Sequence, residues 1–382
     1  MNRYYNPVRT VQGPGCVRQL PELLQELKPA GRRVLLLLWN ESLAEELPFS
    51  AMLAGTESFQ ARMLVFRDSN PTVEQLFDAY RATKGFSPDV VVAVGGGSTL
   101  DVGKSLCCLY GREIPDAGAL RRIIRDKDYP VPTARWIGVP TTAGTGSETT
   151  CWATIWDPSQ DAKRSVECRE NYAWAALVDP ELTAGMPLAL AVSSALDAVA
   201  HAVESYWARG TNAVSRALAL EAVRTIMGSM DDLLEGRVEA HDAMARGSML
   251  AGLAFSNTKT TACHSISYPL TMHYGIPHGA AVSMLLAPVF RLNAPGVEGV
   301  DALLSALGAA DGAGLERRVR DILRRSGQAA TLKEWGVQRE ELPRLAELGI
   351  TRGRADNNPV SIEPDTILTI LEQIYDNSCE LN

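Results

Sequence analysis

Four apolar runs constrain this chain most: RVLLLL (33–38), ARMLVF (61–66), DVVVAV (89–94) and RWIGVP (135–140). Apolar at successive positions and rich in β-branched side chains, they read as strands covered on both faces, the pattern of a parallel sheet. Parallel neighbours need crossovers. PELLQELK, TVEQLFDAYRATKG and STLDVGKSLCCLYG carry apolar residues at three- and four-residue spacing and supply helical ones. In the second of these, Asn70 is placed to cap, Pro71 to fill the first turn, and Glu74 to follow. Residues 1–184 are therefore expected to form a doubly wound α/β domain. Beyond Pro180, Gly185 and Pro187 the pattern changes to helical periods at 187–208, 212–234, 238–257, 278–291, 299–309, 313–326 and 363–376, with no strand run. An all-α domain over 185–382 is the expectation, and 382 residues suit two cores better than one.

Composition excludes several function classes. A hydrophobic fraction of 46% with 21% charged residues describes an ordinary globular protein, and no uninterrupted apolar run has the length of a membrane span. The opening MNRYYNPVRTVQGPG lacks the apolar stretch of a secretory signal, so a cytoplasmic location is expected. The seven cysteines are odd in number, scattered and without a CxxC pair, which fits free thiols. A net charge of −8 argues against a nucleic-acid surface while leaving room for a local cationic pocket.

The strongest chemical signal runs from Asp197 to His278. Asp197 and His201 stand four apart in PLALAVSSALDAVAHAVESYWA, so both project from one helix face. A lone histidine is more often a core residue than a ligand, but His264 in TACHSISYPL and His278 in IPHGAAVSMLL complete an Asp/His/His/His set. Its oxygen and nitrogen donors suit Fe(II) or Zn(II).

Two glycine-rich turns follow strands. In DVVVAVGGGSTLDVGK a buried run enters Gly95, Gly96 and Gly97, and a helix begins at Ser98. Such a turn lets a pyrophosphate approach the backbone at a helix N-terminus, although a plain strand-to-helix turn looks similar. PTTAGTGSETT (140–150) reads as a second lining loop, and together the turns mark a cleft at the carboxyl ends of the strands.

GGGS with Asp101 and Lys104, then PTTAGTGSE, the D-x-x-x-H pair, His264 and the Pro277–Gly279 PHG together resemble the iron-containing (group III) alcohol dehydrogenase family, from NPVRTVQGPG to ADNNPV. The resemblance implies a dinucleotide-binding domain, a helical metal domain of the dehydroquinate synthase-like kind, and NADH- or NADPH-linked interconversion of alcohol and aldehyde. It implies Asp197, His201, His264 and His278 as metal ligands at the catalytic centre. It also implies Asn70, Gly96, Gly97, Ser98, Thr141, Thr142, Thr145, Ser147, Lys163, Leu182 and Met186 as cofactor-lining residues. A homodimer or higher homo-oligomer is expected, with RYYNPVRTV as an edge strand. A sugar-phosphate cyclase on the same scaffold is the alternative from another enzyme class.

Two departures from the family pattern stand out. Tyr268 occupies a position where many members carry a further histidine, and its high ordinary pKa makes it a poor proton shuttle. After the first strand, WNES places Trp39 or Asn40 where NAD-preferring relatives have an acid, with Glu41 just beyond. The substrate clue is SNTKTTACHSISYPL. If one helix ran through it, Lys259 would face the metal near His264, with Thr260, Thr261 and Tyr268 as further substrate contacts. This run resembles the branch reducing phosphonoacetaldehyde, a small anionic aldehyde; the alternative is a dehydrogenase of another short aldehyde, alcohol or diol. Arg352 and Arg354 are additional candidate cations, and a solvated Lys259 is the plainer alternative.

Overall fold

The computed structural model describes residues 3–27, 33–54, 59–160, 162–351 and 353–376. Two compact units emerge: Asn6–Thr142 with Ser147–Thr183, and Ala184–Asn382 with Ala143–Gly146 and the N-terminal residues through Tyr5.

The first unit is built on strands β1 (Arg9–Gln12), β2 (Arg33–Leu38), β3 (Gln60–Val65), β4 (Val90–Gly95), β5 (Arg135–Pro140) and β8 (Ala175–Val178), all parallel in the order β1-β8-β5-β4-β2-β3. A separate antiparallel hairpin joins β6 (Trp152–Asp157) to β7 (Ala162–Glu167). Helices α1 (Leu20–Leu27), α2 (Phe49–Leu53), α3 (Val73–Thr83), α4 (Gly97–Leu109) and α5 (Ala117–Asp126) complete the unit. Alternate strand residues enter two cores: Leu35, Leu37, Val91 and Ala93 one, Val34, Leu36, Val90 and Val92 the other. This double coverage explains the unbroken apolar runs, each fully buried aliphatic side chain contributing about 1.5–3 kcal/mol.

The four expected apolar strands are present, β1 overlaps the expected edge strand in RYYNPVRTV, and β6, β7 and β8 are additional. β1 is four residues long and mostly exposed, the hairpin mixes polar with apolar residues, and β8, although wholly apolar and buried, is only four residues long. α5 is also additional. The expected Asn70 cap is corrected: α3 starts at Val73 under a capping box between Thr72 and Gln75, while Asn70 takes φ +55°.

The second unit contains α6 (Leu188–Trp207), α7 (Ala213–Gly228), α8 (Met230–Leu234), α9 (Ala240–Thr258), α10 (Ala262–Tyr274), α11 (His278–Asn293), α12 (Val300–Leu307), α13 (Gly312–Arg325), α14 (Leu342–Leu348) and α15 (Pro364–Gln373). No strand occurs among its described residues. The expected helix over 212–234 breaks at Ser229 into α7 and α8. α10 and α14 add to the expected set. α6 is long and apolar enough by composition to cross a membrane, but it is largely buried in this unit's core, packs on α7, α9 and α11, and carries the buried Asp197, His201 and Glu204.

Candidate metal centre and dinucleotide-binding turns

The metal centre grows from the register of α6. Asp197, His201 and Glu204 follow at four- and three-residue intervals, so all three project from one side of the helix and all are buried. α10 brings His264 and α11 begins at His278. Close backbone approach makes this possible. A Cβ on Gly279 would lie 2.0 Å from the Ser193 carbonyl oxygen, and one on Gly144 would lie 2.7 Å from that of Ser194. Glycine at both positions lets α11 and the 143–146 segment sit against α6.

Ligating atoms of Asp197, His201 and His264 lie within 4.8 Å of one another. His278 is the outer member, its Nε2 3.9 Å from Asp197 Oδ1 and its side chain 35% exposed. The His201 and His264 imidazoles stack with centroids 4.3 Å apart, while His278 meets His264 edge-on at 5.3 Å. Nδ1 of His201 lies 3.3 Å from the Gly144 carbonyl oxygen, and Nδ1 of His264 bonds Glu204 Oε2. With Nδ1–H donating to these acceptors, each ring turns the Nε2 lone pair inward. There, His264 Nε2 and Asp197 Oδ1 are buried 3.3 Å apart and neither has a hydrogen-bond partner. Two such orphaned acceptors are poorly placed together unless a cation lies between them, so the residues fit a divalent metal.

The charge balance agrees. Burial pushes the His201 pKa down to about 4, despite Asp197, and keeps its ring neutral as ligation requires. Burial would raise the Asp197 carboxyl, but His201, His264 and His278 hold it below the usual carboxylate range. Burial likewise opposes charge on His264, yet Glu204 and Asp197 raise its pKa; the potential that favours a proton there favours a divalent cation as well. Glu204 was not singled out in the sequence. Its oxygens accept from the Thr261 hydroxyl at 2.7 Å, the Cys263 N–H at 2.7 Å and His264, and its place three residues after His201 was the available signal.

The KTT segment differs from the expectation. α9 ends at Thr258 and α10 starts at Ala262, so no single helix carries Lys259 to His264. Lys259 is exposed, with φ +61°. Thr260 is buried, and its carbonyl accepts from Asn357 Nδ2 at 3.0 Å. The Thr261 hydroxyl is engaged by Glu204 and by the indole N–H of Trp207 at 2.9 Å. Tyr268 is buried and stacks on His278 at 6.0 Å, with the Arg354 guanidinium 5.1 Å from its ring centroid. Burial pushes the Tyr268 pKa up to about 12, so its hydroxyl stays a hydrogen-bond donor near neutrality. Arg352 lies outside the described residues.

In the α/β unit, the sheet order reverses between β2 and β4, the switch point beside which doubly wound sheets bind nucleotides. Gly95 ends β4 opposite Pro140 on β5, and the Thr141 N–H donates to the Gly95 carbonyl at 3.0 Å, so the two glycine-rich turns lie side by side. Gly96 caps α4 in extended conformation and Gly97 opens it; a Cβ on Gly96 would meet the Thr142 methyl at 3.3 Å. The Asn70 N–H donates to Ser98 Oγ at 3.0 Å. Lys163, on the hairpin, stands 5.3 Å over the Trp156 ring, and the Trp156 N–H donates to Pro71 O at 2.8 Å, which draws the hairpin toward Asn70. Ser147 is buried, its hydroxyl donating to Asp101 and accepting from Lys104. Leu182 packs on the α/β core; Thr145 and Met186 belong to the helical unit. Beyond β2, the Asn40 side chain caps the next turn and Glu41 is paired with Arg67.

These features have counterparts among known proteins. A family model for iron-containing alcohol dehydrogenase matches residues 7–180, and a second, for the C-terminal part of the Fe-containing alcohol dehydrogenase family, matches 191–375. Lactaldehyde reductase from Escherichia coli is 30% identical over 76% of this chain and 78% of its own. Phosphonoacetaldehyde reductase from Streptomyces viridochromogenes is 33% identical over 60% of each chain. The crystal structure of sulfoacetaldehyde reductase from Bifidobacterium kashiwanohense, solved with NAD+, superposes with a TM-score of 0.88 at 24% identity, covering 99% of both chains.

Proposed function

The chain belongs to the iron-containing alcohol dehydrogenase family, and on that footing we propose that it reduces phosphonoacetaldehyde to 2-hydroxyethylphosphonate, with NADH or NADPH, in phosphonate biosynthesis. The observation that carries the aldehyde chemistry is the inward-facing Asp197, His201 and His264 set with its orphaned atoms. A divalent metal bound there supplies Lewis acidity at the carbonyl oxygen, while the nicotinamide cofactor supplies the hydride. Asp197, His201, His264 and His278 would hold the metal, His278 forming its exposed side. Glu204 and the Gly144 carbonyl orient two of the imidazoles. The Tyr268 hydroxyl remains a donor beside that side. Asn70, Gly96, Gly97, Ser98 and Thr142 would line the cofactor's phosphates and ribose.

The phosphonate rests on the SNTKTTACHSISYPL run, on cationic side chains at both ends of that neighbourhood, and on the 33% identity to a phosphonoacetaldehyde reductase. A second reading, a neutral short aldehyde or diol, is favoured by the exposure of Lys259 and the longer match to a lactaldehyde reductase. Oxidation of NADH and of NADPH by metal-reconstituted protein, with phosphonoacetaldehyde and propionaldehyde in parallel, decides between them. The phosphonate is expected to give the higher kcat/KM, and equal values for both aldehydes would overturn the assignment. The reading includes a homo-oligomer built on β1, an exposed edge strand, which sedimentation would test.

A further inference from the structure

We infer that Arg354 is the anchor for the anionic end of the substrate, holding a phosphonate-type oxyanion beside Tyr268 on the exposed side of the metal centre. The inference rests on the reading above for the identity of the substrate, and on separate observations for the site.

Arg354 is held in place by contacts on both sides. Ser265, next to His264 on α10, donates to the Gly349 carbonyl at 2.6 Å and accepts from the Thr351 N–H at 2.7 Å. Asn357 donates to the Thr258 and Thr260 carbonyls at 2.8 and 3.0 Å. The loop between is therefore tied to the two helix ends that flank the KTT turn, and Arg354 N–H closes it on Thr351 O at 3.1 Å.

The side chain lies over Tyr268, whose ring is nearly parallel to His278, tilted by only 10°. His278 is the most exposed of the four metal-centre residues, so a substrate reaches the centre along this side. Comparison with other enclosed arginines shows what is missing. Arg121 and Arg164 share Asp157, and Arg320 holds Glu316. Arg354, part-buried, has no carboxylate partner among the described residues, and its Nε is buried without a hydrogen bond. The guanidinium is partly withdrawn from water and hydrogen-bonded to Tyr268, and an anionic ligand would supply the counter-ion that the described residues do not. Its planar fork matches two oxygens of a tetrahedral oxyanion, and the aromatic face below fixes the plane. Lys259, exposed at the end of α9, offers a point charge without a planar fork by contrast.

The test compares Arg354→Gln, Arg354→Lys and Lys259→Ala in the metal-reconstituted enzyme. For R354Q, kcat/KM with phosphonoacetaldehyde should fall about 100-fold, chiefly through KM, and by less than about tenfold with propionaldehyde. R354K, which keeps charge without the fork, should fall between wild type and R354Q, and K259A should lose less than R354K. Calorimetry with methylphosphonate adds a readout independent of turnover and of the aldehyde: wild type should bind it, and R354Q should not. Equal losses on both aldehydes, or unchanged methylphosphonate binding in R354Q, would overturn the anchor. If wild type shows no preference for phosphonoacetaldehyde but methylphosphonate binding still depends on Arg354, the substrate assignment fails and the anion anchor stands.

Discussion

Lys104 in the α/β unit and the Asp197–His264 pair in the helical unit are both charged groups placed almost wholly out of water, yet their surroundings differ in kind. The Lys104 ammonium is fully buried and donates to Ser147 O, Ser147 Oγ, Thr150 Oγ1 and Trp152 O at 2.7–3.0 Å, with Asp101 3.5 Å away. Asp101 in turn accepts from Ser147 Oγ and the Thr154 N–H. That network closes on itself and ties the second glycine-rich turn to α4. Around Asp197 and His264 the network stops short, with two buried atoms facing each other unpaired. A closed polar network holds a shape, whereas an open one marks where a ligand completes the protein.

The sharpest way to break this contrast is at the open end. Asp197→Ala removes the carboxylate that three imidazoles surround, and bound metal should be lost with at least about a 10³-fold fall in kcat/KM. Elemental analysis alongside kinetics checks it, and full metal occupancy in the variant would show that the orphaned pair is not the metal's place. Lys104→Met tests the closed end. The variant leaves Asp101 and two carbonyls short of a donor, so stability should fall by about 3–5 kcal/mol while metal content is retained. Denaturant unfolding reads the first quantity, and a loss of metal without a loss of stability would reverse the assignment of roles.

Glu148 complicates the picture within the α/β unit. Its side chain is buried against Gly138, where an added Cβ would come within 2.9 Å of the Glu148 Cβ. Burial raises its pKa to about 7, its own backbone N–H and the Lys104 charge opposing the shift only in part. The folded protein thus holds this proton more tightly than the unfolded chain. Its contribution to stability is fully present below the ordinary value of 4.5 and is lost as pH rises through about 7. The loss amounts to at most about 3 kcal/mol. Glu148→Gln should remove that slope, so wild type minus variant, measured by urea unfolding from pH 4.5 to 8, should fall with pH. A flat difference would mean that the carboxyl is not held protonated.

The sequence conveyed the open network better than the closed one. Asp197 and His201 repeat at helical spacing, and histidines are few, so the candidate set was readable in the sequence, and the structure brings Asp197, His201 and His264 together. The four central strands were equally plain, because covering both faces of a sheet leaves uninterrupted apolar runs. β1 was legible only as an edge strand in RYYNPVRTV, β8 was hidden by shortness, and the hairpin by its polar face. Helix periodicity also failed at KTT, where the chain turns between α9 and α10 and Thr261 is engaged by Glu204 instead of facing a ligand. Arg354 was visible only as a charge. That it lies over Tyr268 follows from tertiary hydrogen bonds through Ser265 and Asn357, to which no spacing rule applies.

Glu204 stands between the two cases and gives the finest test of the contrast. Like Lys104 it is fully buried and well satisfied, accepting from Thr261, from the Cys263 N–H and from His264. Burial would raise its pKa, but the interaction with His264 and the hydrogen bonds from His264 and Thr261 lower it, so it stays ionised beside a ring whose other nitrogen faces the open pair. Its effect on a metal is therefore indirect: it fixes the His264 tautomer and makes Nε2 a stronger donor. Glu204→Gln keeps the size of the side chain and most of its hydrogen bonds while removing the charge. Metal affinity should then fall roughly 10–100-fold, far less than in the Asp197 variant, and chelator competition measures it. Undiminished affinity would place Glu204 wholly with the closed, structural networks; a loss as large as that of Asp197→Ala would show that the His264 ring leaves the centre without it.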